Sequence, residues 1–166
     1  MTESDAGAVG TSLLFDVFAV NQAVGRMLGA AMRDGPLTPG EYAIYSAVFE
    51  LEAATPTELA GRLGMRLTTF MDQLRQLESR GHAGRVPHPT DGRSYKVVLT
   101  AAGRDAHRAA NRRFEEADRK FRAFLLGDEA AAQDCLRSIR RAAESAMAGN
   151  ADGEVASPRR RAGRAG

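Results

Sequence analysis

An all-α fold carrying one small β hairpin is the class this sequence predicts, and three observations predict it. Apolar residues recur at helical spacing through most of the chain. Two tetrapeptides, Thr38-Pro39-Gly40-Glu41 and Thr55-Pro56-Thr57-Glu58, set a cap, a first-turn proline and a glutamate where a helix start favours each. Between the two ends, the stretch after Gly81 leaves the helical period, and Pro87-His88-Pro89-Thr90-Asp91-Gly92-Arg93 gives it a turn-forming tip.

In order, Leu14, Val17, Phe18, Val20, Val24, Met27, Leu28 and Ala31 predict a helix over 12–32, with an apolar stripe wide enough for more than one neighbour. Gly35-Pro36 breaks it. The first capping box opens a helix to about Leu51, with Tyr42, Tyr45, Val48 and Phe49 inward. The second opens a short helix that buries Leu59 and Leu63 and stops at Gly64, where a positive φ permits an abrupt turn. Leu67, Phe70, Leu74 and Leu77 stripe the next helix to Arg80, and Gly81 stops it. After the hairpin, Thr100 caps a long helix in which Ala106, Ala110, Phe114, Ala117, Phe121 and Phe124 repeat. Gly127-Asp128 ends it and starts a last helix lined by Ala132, Cys135, Leu136, Ile139, Ala143 and Met147. Residues 1–10 are expected to fray. From Gly149 the composition is too polar and too rich in small residues to bury a face.

Composition bounds the reading. The 166 residues suffice for one compact domain or two small lobes, and 43% hydrophobic with 27% charged residues fits a soluble globular protein. No apolar run is long enough to span a bilayer, and the acidic Met1-Thr2-Glu3-Ser4-Asp5 start lacks the basic opening of a secretory signal. The single cysteine, Cys135, excludes an internal disulfide framework and suits a cytoplasmic protein. A net charge of +2 says little about nucleic acid; where the charges lie says more.

Short helix, glycine turn, longer helix and an arginine-tipped hairpin form a device for presenting a helix and a finger to duplex DNA. The outer face of the helix from Leu67 to Arg80 carries Thr69, Asp72, Gln73, Gln76 and Arg80, and periodicity alone leaves it either solvated or reading bases. Leu63-Gly64-Met65, Leu74, Leu77-Glu78 and Arg80-Gly81, with the spacing Arg-x5-Asp-x-Arg-x5-Leu-Thr-x2-Gly from Arg85 to Gly103, resemble the MarR regulators. The resemblance extends more loosely over 11–148. It implies a winged helix-turn-helix DNA-binding lobe (37–100) and a helical dimerisation region (11–36 and 101–148) in which two protomers intertwine; composition makes 149–166 a disordered basic tail. It also implies a homodimeric transcriptional regulator of double-stranded DNA, often a repressor controlled by a small-molecule effector.

The candidate DNA-binding residues are Arg66, Thr68, Thr69, Asp72 and Gln73 on the recognition helix, with Arg85, His88, Arg93 and Lys96 on the wing. Threonine can bond a base edge or touch a thymine methyl, glutamine can pair with adenine, and an aspartate can accept from cytosine N4. Arg93 at a hairpin tip can enter a narrow minor groove, with Asp91 holding a nearby arginine or fixing the turn. Arg85 and Lys96 would face phosphate or solvent. Arg159, Arg160 and Arg161 could add nonspecific affinity. The candidate ligand-binding residues are Phe18, Tyr42, Tyr45 and His107, each also readable as core. Met71 and Asp72 stand where the family has a small hydroxyl and a basic residue. They motivate the alternative, a winged-helix protein-interaction module without specific DNA binding. No cofactor, metal or enzymatic activity is expected, since the histidines lack metal-ligand spacing and Cys135 falls on a helical stripe expected to pack.

Overall fold

The computed structural model describes residues 12–153. The element order is α1 (Leu13–Met32), α2 (Pro39–Glu50), α3 (Pro56–Leu63), α4 (Leu67–Ser79), β1 (Ala83–Pro87), β2 (Tyr95–Leu99), α5 (Ala101–Phe124) and α6 (Glu129–Gly153). All-α with a small β wing is therefore the observed class. The expected fraying at 1–10 and the arginine-rich end of the tail lie outside the described residues. Helix α6 runs to Gly153, past the expected boundary at 148. The chain divides into two compact units after Ala123.

Local chemistry sets the helix ends. At both boxes the threonine hydroxyl accepts the N3 backbone N–H, at 3.3 Å from Glu41 and 3.3 Å from Glu58. Each glutamate in return accepts the threonine backbone N–H, at 2.8 and 2.7 Å. Gly64 is left-handed at φ 64°, and Met65 N–H reaches back to the Ala60 carbonyl at 2.9 Å. Gly81 at φ 69° closes α4 likewise, with its own N–H on Glu78 and that of His82 on Leu77, both at 2.9 Å. Thr100 caps α5 by accepting Gly103 N–H at 3.1 Å.

The core of the first unit lies between α2, α3, α4 and the hairpin. Tyr45, Leu59, Phe70, Leu74, Leu77 and Val97 are at most 1% exposed, each large side chain contributing about 1.5–3 kcal/mol. The strands pair antiparallel, Ala83 opposite Leu99 through Pro87 opposite Tyr95. Ala54 adds a bridge, accepting Val97 N–H at 2.8 Å.

Some expectations fail. Leu67 leads the α4 stripe in sequence but is 45% exposed, because the helix has only just left the turn there. Phe49 is half exposed, and α1 buries only Met32 while Leu13, Leu14, Phe15, Phe18 and Val20 are open. In the second unit Cys135, expected in a packed face, is exposed, and so are Leu136 and Met147. Among the described residues these side chains stay uncovered.

The tightest approach is at the start of α5. A Cβ on Gly103 would lie 2.0 Å from the His82 carbonyl oxygen, a backbone atom that no rotamer change can move. Gly103→Ala should therefore destabilise by more than the ~1–3 kcal/mol usual for overpacking. Thermal unfolding checks this, and an unchanged melting temperature would mean that the two backbones separate freely.

Candidate nucleic-acid interface

Helix α3, the Gly64 turn and α4 build the reading head. Burial of Phe70, Leu74 and Leu77 leaves Thr68, Thr69 and Asp72 exposed on the outer face, with Gln73 partly exposed beside them. Arg66 stands at the N-cap without a capping bond from its side chain, leaving the guanidinium exposed. Asp72 is not isolated: it pairs with Arg75 one turn on, and both stay about two-thirds exposed. Such a pair contributes about 0–1 kcal/mol, but it offsets the carboxylate's repulsion of phosphate.

The wing tip is held from within. Asp91 fixes the turn, accepting Arg93 N–H at 3.0 Å. His88 is half-buried, and its Nδ1 accepts the backbone N–H of Asp91 at 3.2 Å and of Thr90 at 3.4 Å. The Arg93 guanidinium is exposed beyond this turn. Lys96 is partly buried on β2 and lies close enough to Glu58 to help depress its pKa, chiefly lowered by the Thr55 backbone bond. Arg85, expected to face phosphate or solvent, is exposed on β1 and bound to Glu78 of α4, with Nε to Oε1 at 2.5 Å and Nη2 to Oε2 at 2.9 Å.

Tyr42 and His107, two of the four ligand candidates, come together. Their rings stack at 5.5 Å between centroids, Phe114 lies on Tyr42 at 4.7 Å, and Phe49 meets His107 at 4.8 Å. Ser46 Oγ is 3.0 Å from His107 Nε2, and the Tyr42 hydroxyl donates to Asn111 Oδ1 at 2.6 Å. A pocket of about 280 Å³ beside them is lined by Leu28, Met32, Tyr42, Ser46, Glu50 and Phe114. Tyr45 does not join it. It is fully buried, with its hydroxyl 2.8 Å from His82 Nδ1, so its place is in the core. Phe18 is 58% exposed on α1 and does not line the pocket.

Sequence reasoning gave His82, Glu78, Tyr95 and Asn111 no role at the site. Each acts on a residue from another element, and no spacing signals that. Among the described residues no cluster of His, Cys, Asp and Glu could hold a metal, and no helix is long and apolar enough to cross a membrane.

No family model matches the chain. It is 29% identical over 100 residues to the HTH-type transcriptional regulator TtmR of Methylorubrum extorquens, covering 60% of this chain. The chain spans about half (51%) of the length of that curated relative. Among solved structures it is similar to the PcaV transcriptional regulator of Streptomyces coelicolor in complex with its natural ligand. That match has 27% identity and a TM-score of 0.69, covering 84% of this chain and 99% of the other. It is similar also to a mutant MarR from E. coli complexed with operator DNA, at 25% identity and TM-score 0.65, covering 76% and 91%. The resemblance to the MarR regulators is borne out.

Burial among the Tyr42 and Phe49 rings lowers the His107 pKa, and the Glu50 carboxylate opposes the shift only in part. A histidine depressed in the folded state binds its proton more readily when unfolded. Stability is then full above the ordinary histidine value of about 6.5 and falls as pH drops toward the lower folded value. Wild type should lose melting temperature through that window, and His107→Gln should lose less. Parallel losses would assign the proton to another group.

Proposed function

We propose that this chain, which has the fold of the MarR regulators, is a cytoplasmic, homodimeric, sequence-specific transcriptional regulator of duplex DNA, acting as a repressor that a small ligand releases. The observation that carries the reading is the pairing of an exposed polar α4 N-terminal half with a stiffened wing that ends in an uncommitted arginine. A helix held behind a glycine turn enters a major groove with its first two turns. Thr68, Thr69 and Gln73 are then the base readers and Arg66 a phosphate contact, while Arg93 enters the adjacent minor groove and Lys96 faces its edge. Asp72, tied to Arg75, is left at most one role, accepting from a cytosine. His88 supports the wing by shaping its turn. Solved relatives held with DNA favour this reading over a winged-helix interaction module.

The ligand reading rests on the pocket beside Tyr42, His107 and Phe114, which is mostly apolar with a few polar groups, as small-molecule sites are. The dimer reading rests on the open apolar side chains of α1 and, separately, of α6. A second copy of the chain supplies both surfaces with cover.

Duplex binding across a salt series tests the function, since a dimer neutralising several phosphates loses affinity steeply as salt rises. Within that assay Arg93→Ala should weaken binding by about 1–3 kcal/mol, most at sites with an A·T-rich minor groove under the wing, and should lower the salt slope by about one. Melting temperature should hardly move, because the side chain is exposed. Equal affinity of both proteins for every such site removes Arg93 from the interface.

Phe15 is 57% exposed in the single chain. Phe15→Asp should therefore leave a monomer's stability almost unchanged but bury a charge in the dimer interface. Sedimentation should show a dimer for wild type and a monomer for the variant. A wild-type monomer at micromolar concentration overturns the dimer.

A further inference from the structure

We infer that Arg85 is a positioning residue, a lock that sets the angle of the wing against the recognition helix, and not a DNA contact. The inference rests on the DNA-binding reading above and deepens it. Arg85 belongs to β1, yet its fork closes on Glu78 of α4 through two parallel bonds of 2.5 and 2.9 Å. The flat guanidinium lies 4.4 Å above the centre of the Tyr95 ring. Tyr95 opposes Pro87 on the neighbouring strand, so it is the diagonal neighbour of Arg85 on one sheet face. The Tyr95 hydroxyl then reaches Met71 Sδ at 3.8 Å, back on α4.

The chain of contacts is closed: Glu78 to Arg85, Arg85 to Tyr95, Tyr95 to Met71. Met71 and Glu78 are seven residues apart, two turns and roughly 10 Å along one helix face. One attachment would fix only a distance; two attachments that far apart fix an angle. Surface ion pairs usually contribute little, but this one is bidentate, only 25% of the Glu78 side chain is exposed, and the guanidinium is held by a ring on its face. Its charge is already answered by a carboxylate, which leaves little for a phosphate. The lock also gives Met71 a use: its sulfur meets the Tyr95 hydroxyl where a smaller residue would fall short.

The two readings of Arg85 differ in sign. Binding of the full chain is measured at several salt concentrations to two duplexes that differ only in being A·T-rich or G·C-rich under the wing. If Arg85 is the lock, Glu78→Gln and Arg85→Lys each reduce the wild-type preference between the duplexes by roughly tenfold, because lysine lacks both fork and flat face. Adding Arg93→Ala to Glu78→Gln then changes the preference little further. If Arg85 is a phosphate contact, Glu78→Gln frees it: both duplexes bind tighter, the salt slope steepens by about one, the preference stays, and the lock is overturned. Hydrogen exchange of the free proteins judges the lock apart from DNA. The lock requires Glu78→Gln to speed exchange in β1 and β2 while Phe70 to Leu77 stay protected; unchanged hairpin exchange overturns it. A wild type that binds neither duplex, with the hairpin loosened as expected, overturns the DNA-binding reading alone.

Discussion

Everything that faces outward from the winged lobe depends on how closely α5 approaches the His82 backbone. Only a hydrogen fits at Gly103, since a Cβ would lie 2.0 Å from the His82 carbonyl oxygen. The same oxygen accepts Thr100 N–H at 3.0 Å, while the Thr100 hydroxyl donates to the Gly81 carbonyl at 2.7 Å. His82 N–H meanwhile completes the end of α4 on Leu77, and its ring meets the Tyr45 hydroxyl. One residue thus joins the end of the recognition helix, the entrance to the wing, the start of α5 and the middle of α2. A larger apolar residue at this position would pack but could not supply the ring nitrogen.

Charge at the interface follows a second constraint. Carboxylates on a DNA-facing lobe repel phosphate unless something answers them, and here most are answered within the lobe. Glu78 holds Arg85, Asp72 holds Arg75, Glu41 holds Arg80 at 2.6 Å, and Glu58 is turned onto its own N-cap. Burial raises the Glu41 pKa, but the Thr38 bonds and Arg80 outweigh it, so the carboxyl stays below its ordinary value and charged. Among the described residues Arg66 and Arg93 form no ion pair. The helix entrance and the wing tip therefore each present a cation that no carboxylate of the lobe answers.

Much of this was legible in the sequence because it is local. Capping boxes, left-handed glycines and the stripe from Phe70 to Leu77 involve residues within one or two turns of each other, and the structure reproduces them. The glycine of Leu-Thr-x2-Gly was legible as a motif, but its reason, the His82 carbonyl, was not. The partner of Arg85 was not legible, since Glu78 lies seven residues away across a turn, where no period applies. Tyr45 and Tyr42 were read alike, yet three residues along α2 one points at His82 in the core and the other at His107 and Phe114. Cys135 and the α1 stripe were assigned to packed faces from periodicity, which identifies an apolar side but not what covers it.

The placement of Tyr42 and Tyr45 bears on how a ligand could speak to DNA. Coupling between two sites needs an element that touches both and has two arrangements. Helix α2 touches both. Tyr42 and Ser46 reach the aromatic stack around His107, and Tyr45 holds the residue that ends the recognition helix. A ligand that wedges between α2 and the Phe114 ring can shift the protein only by its preference for one position of α2. Any such shift acts on the Tyr45–His82 bond at once. His82 in turn is bonded to the end of α4 through its N–H and to Thr100 through its carbonyl, so a change at that bond would reach both.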